Sequence, residues 1–268
     1  YAFDSSTISL CLKLCPWAKY RKNKGGIKMH TLVDLRGNLP VSVYLTSASV
    51  NDVKALDDLY IEPSAIYLMD RGYVDFNRLF KLITKKNAFF VTRAKDNMLF
   101  EVVSEAEVDK STGIISDERI KLTGLHTAKW YPEELRMVTY EDYATSKVYR
   151  FLTNNMEYEA LTISELYRER WNVELYFKWI KQHLHIKSFY GTSENAIYLQ
   201  IWIAICTYLL LAYAKKVMHI DQSLHTISKN VGLFLTDKTP LNELFNKAVP
   251  TEETEDWLYP SLFRPDDF

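Results

Sequence analysis

The sequence predicts an α/β protein, with a mixed β-sheet that is flanked by helices and interrupted by a β-rich insertion. The first third begins with three β-like segments and then alternates helical and β-like ones. From Asp96 to about Asn154 the helical period disappears. Of the 268 residues, 47% are hydrophobic and 25% are charged. This composition supports a sizeable core and excludes a fibrous or disordered chain.

The order of the elements in the first third narrows the fold. The expected elements are strands at 1–10, 27–35 and 39–46, a helix at 51–60, a strand at 65–69, a helix at 76–84 and a strand at 88–92. Arg36-Gly37-Asn38 is a turn signal that would join the second and third strands as a hairpin. This order is typical of a ribonuclease-H-like mixed sheet with helices on its faces.

The remaining chain divides into an insertion, a helical part and a tail. Thr162 and Glu165 form a capping-box pair that predicts the start of a long helix ending near Leu184. An apolar stretch at 197–214 is about as long as a membrane span, but polar residues interrupt it, which favours a buried core helix. The expected domains are 1–97 for the first part of the core, 98–154 for the β-rich insertion, 155–215 for the completed core, and 216–268 for a helical tail with an acidic, poorly ordered end.

Cysteine content and charge constrain the class of protein. Three cysteines are too few for a disulfide framework and indicate a reducing interior, and residues 1–10 lack a signal-peptide pattern. We therefore expect a cytoplasmic protein. The net charge of -1 conceals a basic run, with five bases and no acid between them: Lys19, Arg21, Lys22, Lys24 and Lys28. This run predicts either a phosphate-contacting loop or an ordinary solvated basic loop.

Two aspartates occupy unusual positions relative to the predicted strands. Asp70 directly follows the apolar run at 65–69, which would place it at the rim of a sheet, where α/β proteins tend to bind ligands. A helix-cap or turn aspartate is an equally valid interpretation of Asp70. Asp4 lies inside a strand, where a carboxylate either faces solvent or needs a partner.

The predicted long helix carries four polar residues on one stripe. Tyr167, Arg170, Glu174 and Lys181 fall within a sector about 60° wide at 100° per residue. Apolar residues border this stripe on both sides, which indicates that it faces a site within the protein. The alternative is an ordinary ion-paired helix face, in which Arg170 and Glu174 form an i,i+4 pair.

The three acids together suggest a metal site. Three carboxylates placed close together resist ionisation unless a cation compensates their charge. A pair of Mg²⁺ ions, for which Mn²⁺ can substitute, would offset Asp4, Asp70 and Glu174 and would activate the oxygens of a phosphoryl displacement. Tyr167, Arg170 and Lys181 would then hold the phosphates.

With these residues, the sequence resembles the DDE transposases of the insertion-sequence-four family. Their signature is Y-(2)-R-(3)-E-(6)-K, and Tyr167, Arg170, Glu174 and Lys181 keep every spacing. The first aspartate of the family resembles Asp4 in Phe3-Asp4-Ser5-Ser6-Thr7, and the second resembles Asp70 in Asp70-Arg71-Gly72-Tyr73. The resemblance covers roughly residues 1–215.

The resemblance implies a ribonuclease-H-like core with a β-rich insertion, and a catalytic triad of Asp4, Asp70 and Glu174. It implies cut-and-paste transposition on double-stranded DNA, with a hairpin intermediate and a homodimer in the DNA complex, in a prokaryotic nucleoid. The expected DNA-binding residues are Tyr167, Arg170, Lys181, Lys28, Arg71 and Trp130, with Trp130 stabilising a flipped base. Family members carry an N-terminal DNA-binding region ahead of the first aspartate, so recognition of terminal repeats is not expected from these residues alone.

Two other functions remain open from the sequence. A metal-dependent nuclease would use the same carboxylates without strand transfer. A catalytically silent DNA-binding remnant of a transposase would have lost the chemistry. The complete spacing of Tyr167, Arg170 and Lys181 favours the transposase over the nuclease, and the presence of all three acids argues against loss of chemistry.

Overall fold

The structure is a computed structural model that describes residues 1–183, 189–234, 238 and 245. The chain forms two compact units. Among the described residues, the first unit contains Tyr1–Thr7 and Lys28–Glu174, and the second contains Ile8–Ile27 and the described residues from Leu175 onward. Strand β1 (Ala2–Leu10), strand β3 (Lys24–Asp34) and helix α4 (Trp171–His183) each contribute residues to both units.

The first unit is built on one mixed sheet. Besides β1 and β3, its strands are β4 (Leu39–Ser47), β5 (Ile66–Met69), β6 (Phe89–Arg93), β7 (Phe100–Glu105), β8 (Ile114–Leu122), β9 (Leu135–Asp142) and β10 (Lys147–Thr153). The strand order is β3-β1-β5-β6-β10-β9-β8-β7, with β4 paired to β3. The β1–β5 and β5–β6 pairs are parallel, whereas β6–β10 and the pairs beyond it are antiparallel. The strands of the predicted insertion therefore continue the core sheet, and the domain boundaries stay a prediction.

The central strands are apolar because both of their faces are covered. Tyr67, Leu68 and Met69 are consecutive buried residues of β5, and Phe90 and Val91 are buried in β6. Uninterrupted apolar runs of this kind are typical of parallel strands covered on both faces. The carboxyl ends of β1, β5 and β6 consequently meet at one edge of the sheet, where a polar residue following the run reaches the rim.

Short helical segments connect the first strands. A 3-10 helix at Asp52–Asp58 begins after Asn51, whose side chain accepts a hydrogen bond from the Val53 amide at 3.2 Å. Helix α1 (Phe76–Arg78) passes directly into a π-helical turn at Leu79–Ile83. Both segments fall where the apolar spacing predicted helices, but neither forms a regular α-helix throughout. A further short helix, α2 (Thr127–Trp130), lies between β8 and β9.

The predicted long helix is two helices. Helix α3 (Ala160–Glu169) and α4 are separated at Arg170, where hydrogen bonds from Arg170 N to Tyr167 O and from Val173 N to Arg170 O tighten the backbone to an i,i+3 pattern. Helix α3 also begins two residues before the predicted capping box, so that prediction is wrong. Tertiary contacts fix the segment before α3 instead. Buried Arg136 binds the Asp117 carboxylate and the carbonyl oxygen of Tyr158, two residues before the helix begins.

The second unit contains the β2 strand (Lys19–Arg21), the start of β3, and helices α5 (Glu194–Val217) and α6 (Leu224–Leu233). Helix α5 is long and apolar enough to cross a membrane by length and composition alone, with a mean hydropathy of 1.8 in its most apolar window, of which 28% is buried. The prediction of a buried core helix is therefore wrong for one face of α5. Its large exposed apolar residues are Leu199, Trp202, Ile203, Leu210, Tyr213 and Val217. The predicted acidic end of the tail lies outside the described residues.

Candidate active site: three carboxylates near one arginine

The sheet register places the two aspartates side by side. Phe3 of β1 pairs with Met69 of the parallel strand β5, and the next residue on each strand is Asp4 and Asp70. Adjacent strands lie about 4.8 Å apart in the hydrogen-bonding direction. The fold therefore brings together two carboxylates that are 66 positions apart in the chain.

Glu174 joins them through Arg170. Nη1 of Arg170 lies 3.3 Å from Oδ2 of Asp4 and 2.7 Å from Oε1 of Glu174. Because both distances start from the same nitrogen, the two carboxylate oxygens lie within about 6 Å of each other. The Arg170 side chain is only 12% exposed. The i,i+4 pair of Arg170 and Glu174 thus exists, but it forms part of a three-residue contact rather than an isolated helix-surface pair.

A second arginine holds Asp70. Nη2 of Arg93 lies 3.2 Å from Oδ1 of Asp70. Arg93 ends strand β6, and the pairing of Leu68 with Val91 brings positions 70 and 93 level on neighbouring parallel strands. Arg93 was not among the site residues predicted from the sequence. Its position at the end of the strand next to that of Asp70 was the available signal, but it required the strand order.

The electrostatics of the two aspartates differ. Burial raises the pKa of Asp4 to about 7, although the charge of Arg170 and a 2.7 Å hydrogen bond from the Ser5 amide act in the opposite direction. Burial also acts to raise the pKa of Asp70, but a backbone hydrogen bond from Arg71 and the charges of Arg170 and Arg93 outweigh it, so that pKa is lowered. Of the two aspartates, Asp4 is therefore the one that needs additional positive charge more.

Tyr167 packs beside this cluster. Its ring centroid lies 4.9 Å from that of Phe151, and Cζ of Arg170 lies 5.5 Å from the Tyr167 ring centroid. Burial raises the pKa of the Tyr167 hydroxyl. Within the described part of the chain, the buried Nε atoms of Arg93 and Arg170 have no hydrogen-bond partner. The cluster thus retains unused N–H donors next to its carboxylates.

The other four predicted site residues have surroundings of their own. Lys28 is half-buried, with its Nζ 2.9 Å from Oδ1 of Asp52 and 2.7 Å from the carbonyl oxygen of Val50. Arg71 follows Asp70 and reaches Asp96 at 3.7 Å. Trp130 is half-exposed and stacks on His126, with 5.6 Å between the ring centroids. Lys181 belongs to the part of α4 in the second unit. The DNA-binding roles of these four residues stay predictions.

The donor set suits a hard divalent cation, since Asp4, Asp70 and Glu174 offer only carboxylate oxygens. Among the residues that the structure describes, no group of three or more His, Cys, Asp or Glu side chains is arranged so that it could hold a metal ion. The guanidinium of Arg170 contacts two of the three carboxylates. The residues fit Mg²⁺ in their chemistry and in the positive charge that Asp4 needs, and Arg170 supplies part of that charge here.

The fold and this cluster define a DDE transposase domain. Residues 1–210 match the family model described as "Transposase DDE domain", and the chain belongs to that family. The predicted resemblance to DDE transposases is confirmed, and its insertion-sequence-four assignment is consistent with the match.

Relatives of known name agree with the family. The chain is 37% identical over 221 residues to y4zB, a candidate transposase of Sinorhizobium fredii, with 81% of this chain and 61% of y4zB covered. It is 29% identical to the probable transposase for insertion sequence element IS5377 of Geobacillus stearothermophilus, with 89% of this chain and 63% of that protein covered. The chain thus spans about three fifths of these relatives' length.

A solved structure supports the fold class. The piggyBac transposase, seen by cryo-electron microscopy in a synaptic complex with hairpin DNA, matches 94% of this chain and 57% of its own, with a TM-score of 0.54 and 15% identity. That likeness concerns the fold. It confirms the predicted ribonuclease-H-like mixed sheet.

Proposed function

We propose that this chain is the catalytic core of a DNA transposase that cleaves DNA strands and joins them to a target. One observation carries the proposal: in a chain of the DDE transposase family, Asp4, Asp70 and Glu174 gather near the guanidinium of Arg170. Three carboxylates at the end of a mixed sheet, with arginines beside them, suit phosphoryl transfer better than chemistry that needs no cation.

In this proposal the three acids hold two Mg²⁺ or Mn²⁺ ions, which when bound supply Lewis-acid activation of the attacking and leaving oxygens. A bound cation would favour the ionised form of Asp4 and would offset the burial that raises its pKa. Asp4 and Glu174 would then no longer need Arg170 to compensate their charge, and Arg170 would be released from them.

The released Arg170 can bind a phosphate. Its buried Nε and that of Arg93 have no protein partner among the described residues, and both arginines stand beside the carboxylates. A guanidinium that presents N–H groups to a phosphate forms charge-assisted and often bidentate hydrogen bonds. Tyr167, packed against Arg170, positions that side chain. The role that the sequence predicted for Arg170 as a phosphate ligand therefore requires it to change partners.

The reaction sequence in the proposal is that of cut-and-paste transposition. Water attacks a phosphorus at the end of the element and the 3'-oxygen leaves as a hydroxyl. That 3'-hydroxyl attacks the opposite strand to form a hairpin, which water reopens before the end is joined to target DNA. The protein works as a homodimer on two ends, in the nucleoid of a prokaryotic cell.

The test uses the full-length protein of the gene and a labelled duplex that carries its terminal repeat, with Mg²⁺. We expect nicked, hairpin and joined products from the wild type. Glu174→Gln should give no cleavage while DNA binding persists, and Glu165→Gln, at an exposed position of α3, should cleave normally. Metal-independent cleavage or full activity of Glu174→Gln would contradict the proposal. Nicking without hairpin or joined product would favour the nuclease.

A further inference from the structure

The basic run at residues 19–24 forms a two-stranded hairpin rather than a loop. Strand β2 pairs with the start of β3, with Lys19 opposite Gly25 and Arg21 opposite Lys24, around a turn at Lys22 and Asn23. We call residues 19–24 the basic hairpin. Lys28, the fifth base of the run, is not part of it, because its ammonium is already bound to Asp52.

The four cations of the basic hairpin are all exposed. They are Lys19, Arg21, Lys22 and Lys24. Across the described ranges, none of them forms a salt bridge with a carboxylate, whereas seven other arginines and lysines of the first unit up to Arg136 do. Uncompensated positive charge is thus concentrated on one short segment.

The chain before the basic hairpin is anchored. Nε1 of Trp17 donates a 2.9 Å hydrogen bond to the carbonyl oxygen of Thr192, and the Trp17 ring stacks on Tyr198 with 6.4 Å between centroids. Cys15 and Ala18 are buried. The ordering cost of binding is lower for a segment that is already held in place.

The chain after the turn is anchored as well. At Gly25 a Cβ atom would lie 2.7 Å from Cδ2 of Leu12 and 3.1 Å from the carbonyl oxygen of Leu10. The β3 backbone therefore packs so closely against the preceding segment that a side chain at this position would displace it. Both ends of the hairpin are fixed, and its cations are presented on a defined surface.

An aromatic residue lies between the cations. Tyr20 is half-buried between exposed Lys19 and Arg21, and Cζ of Arg21 lies 5.8 Å from the Tyr20 ring centroid. The β2–β3 pairing shifts register between Lys19 and Arg21, which marks a β-bulge or irregularity at Tyr20. Stacking on an aromatic ring holds a guanidinium in one orientation and leaves its N–H edge available.

We propose that the basic hairpin binds the phosphate backbone of double-stranded DNA, independently of sequence. The choice of DNA as the partner rests on the proposed function, whereas the choice of the basic hairpin as the binding surface rests on its exposed cations and anchored ends. Lysines and arginines that contact phosphates supply affinity without reading bases. A membrane surface fits less well, because stable interfacial binding also needs apolar side chains beside the cations, and residues 19–24 offer none that is large and exposed. The hairpin belongs to the second unit, whereas the three carboxylates belong to the first.

The test compares variants of matched net charge by fluorescence anisotropy, on a random-sequence duplex and on a terminal-repeat duplex, from 50 to about 300 mM salt. The hairpin variant combines Lys19→Gln, Arg21→Gln, Lys22→Gln and Lys24→Gln. The control combines Lys54→Gln, Lys86→Gln, Lys110→Gln and Lys229→Gln, four exposed lysines spread over the protein. Melting curves verify that each variant is folded.

We expect the hairpin variant to bind both duplexes at least tenfold more weakly at low salt, and the slope of log Kd against log salt to fall by about 2–4, since each phosphate contact contributes about 0.9. The control should change both quantities much less. A charge-conserving variant, with Lys19→Arg, Arg21→Lys, Lys22→Arg and Lys24→Arg, should retain the wild-type slope. Weakening on both duplexes supports binding that is independent of sequence, and weakening on the terminal-repeat duplex alone would overturn it.

The inference is overturned if the hairpin variant keeps the affinity and slope of the control, if the charge-conserving variant loses them, or if the wild type does not bind duplex DNA. Its failure is distinct from failure of the proposed function. If cleavage depends on Glu174 but the hairpin variant binds DNA as the wild type does, only the DNA-binding role of the basic hairpin is rejected. If DNA binding depends on the basic hairpin but no metal-dependent cleavage occurs, the catalytic proposal is rejected and the basic hairpin remains a DNA-binding surface.

Discussion

Nη1 of Arg170 lies 3.3 Å from Oδ2 of Asp4, a residue 166 positions earlier in the chain. The same nitrogen lies 2.7 Å from Glu174, so one guanidinium compensates two of the three candidate metal-binding carboxylates. Loss of this buried cation would leave its two anionic partners uncompensated, and those partners are two of the three carboxylates proposed to hold a metal. The contact therefore links the stability of the protein to the chemistry proposed for it.

Removing Arg170 should make the stability of the protein depend more strongly on divalent metal ions. Arg170→Ala leaves Asp4 and Glu174 without their shared counter-ion, and loss of one partner of a buried pair costs about 3–5 kcal/mol. We expect a lower melting temperature in EDTA, and a larger rise on addition of Mg²⁺ or Mn²⁺ than in the wild type. Arg168→Ala, two residues earlier near the end of α3 and without a salt bridge to a described acid, is the control. Equal stabilisation of wild type and Arg170→Ala by metal would show that Arg170 does not compete with cations.

Lys181 is predicted to contact DNA phosphate. Lys181→Ala should weaken binding of a terminal-repeat duplex and reduce the salt slope by about one contact, roughly 0.9. Lys178→Ala, three residues earlier on α4, is the matched control. Anisotropy titrations at several salt concentrations, with a melting curve for each variant, distinguish a phosphate-binding role of Lys181 from a structural one. A lowered melting temperature with an unchanged slope would make Lys181 a structural residue.

Asp4 predicts a specific pH dependence. Burial raises its pKa from 3.8 to about 7, so the folded state keeps a proton that the unfolded state has lost, and this group makes stability fall as pH rises between those values. Asp4→Asn cannot ionise. The melting temperature of the variant minus that of the wild type, measured in EDTA, should therefore be more positive at pH 8 than at pH 5. A flat difference for Asp4→Asn would contradict the burial argument.

The secondary-structure positions of the site residues could be predicted from the sequence, but the residues that they contact in the fold could not. Strand patterns predicted that Asp4 lies inside a strand and that Asp70 directly follows one. Helical spacing predicted that Tyr167, Arg170 and Glu174 share a face. Periodicity cannot show which strands become neighbours, so the role of Arg93 beside Asp70 became visible only with the β5–β6 pairing. That pairing depends on contacts distant in the sequence.

The helical part of the chain shows the same limit. The apolar period of 163–184 does not reveal the tightened turn at Arg170, because a single i,i+3 step preserves the spacing of the residues around it. Likewise, hydrophobicity predicted that α5 is helical but not which neighbours cover it. Composition measures how much apolar surface a helix carries, and the packing of other elements decides how much of that surface is buried.

The most direct test of the central claim is anomalous diffraction from crystals of the protein grown with Mn²⁺. We predict anomalous density from Mn²⁺ within bonding distance of the carboxylate oxygens of Asp4, Asp70 and Glu174, with Arg170 withdrawn from at least one of these carboxylates. The same density should be lost in Glu174→Gln. Manganese bound elsewhere, or no manganese at these three side chains in crystals of a protein that cleaves DNA with Mn²⁺, would contradict the assignment of the catalytic site.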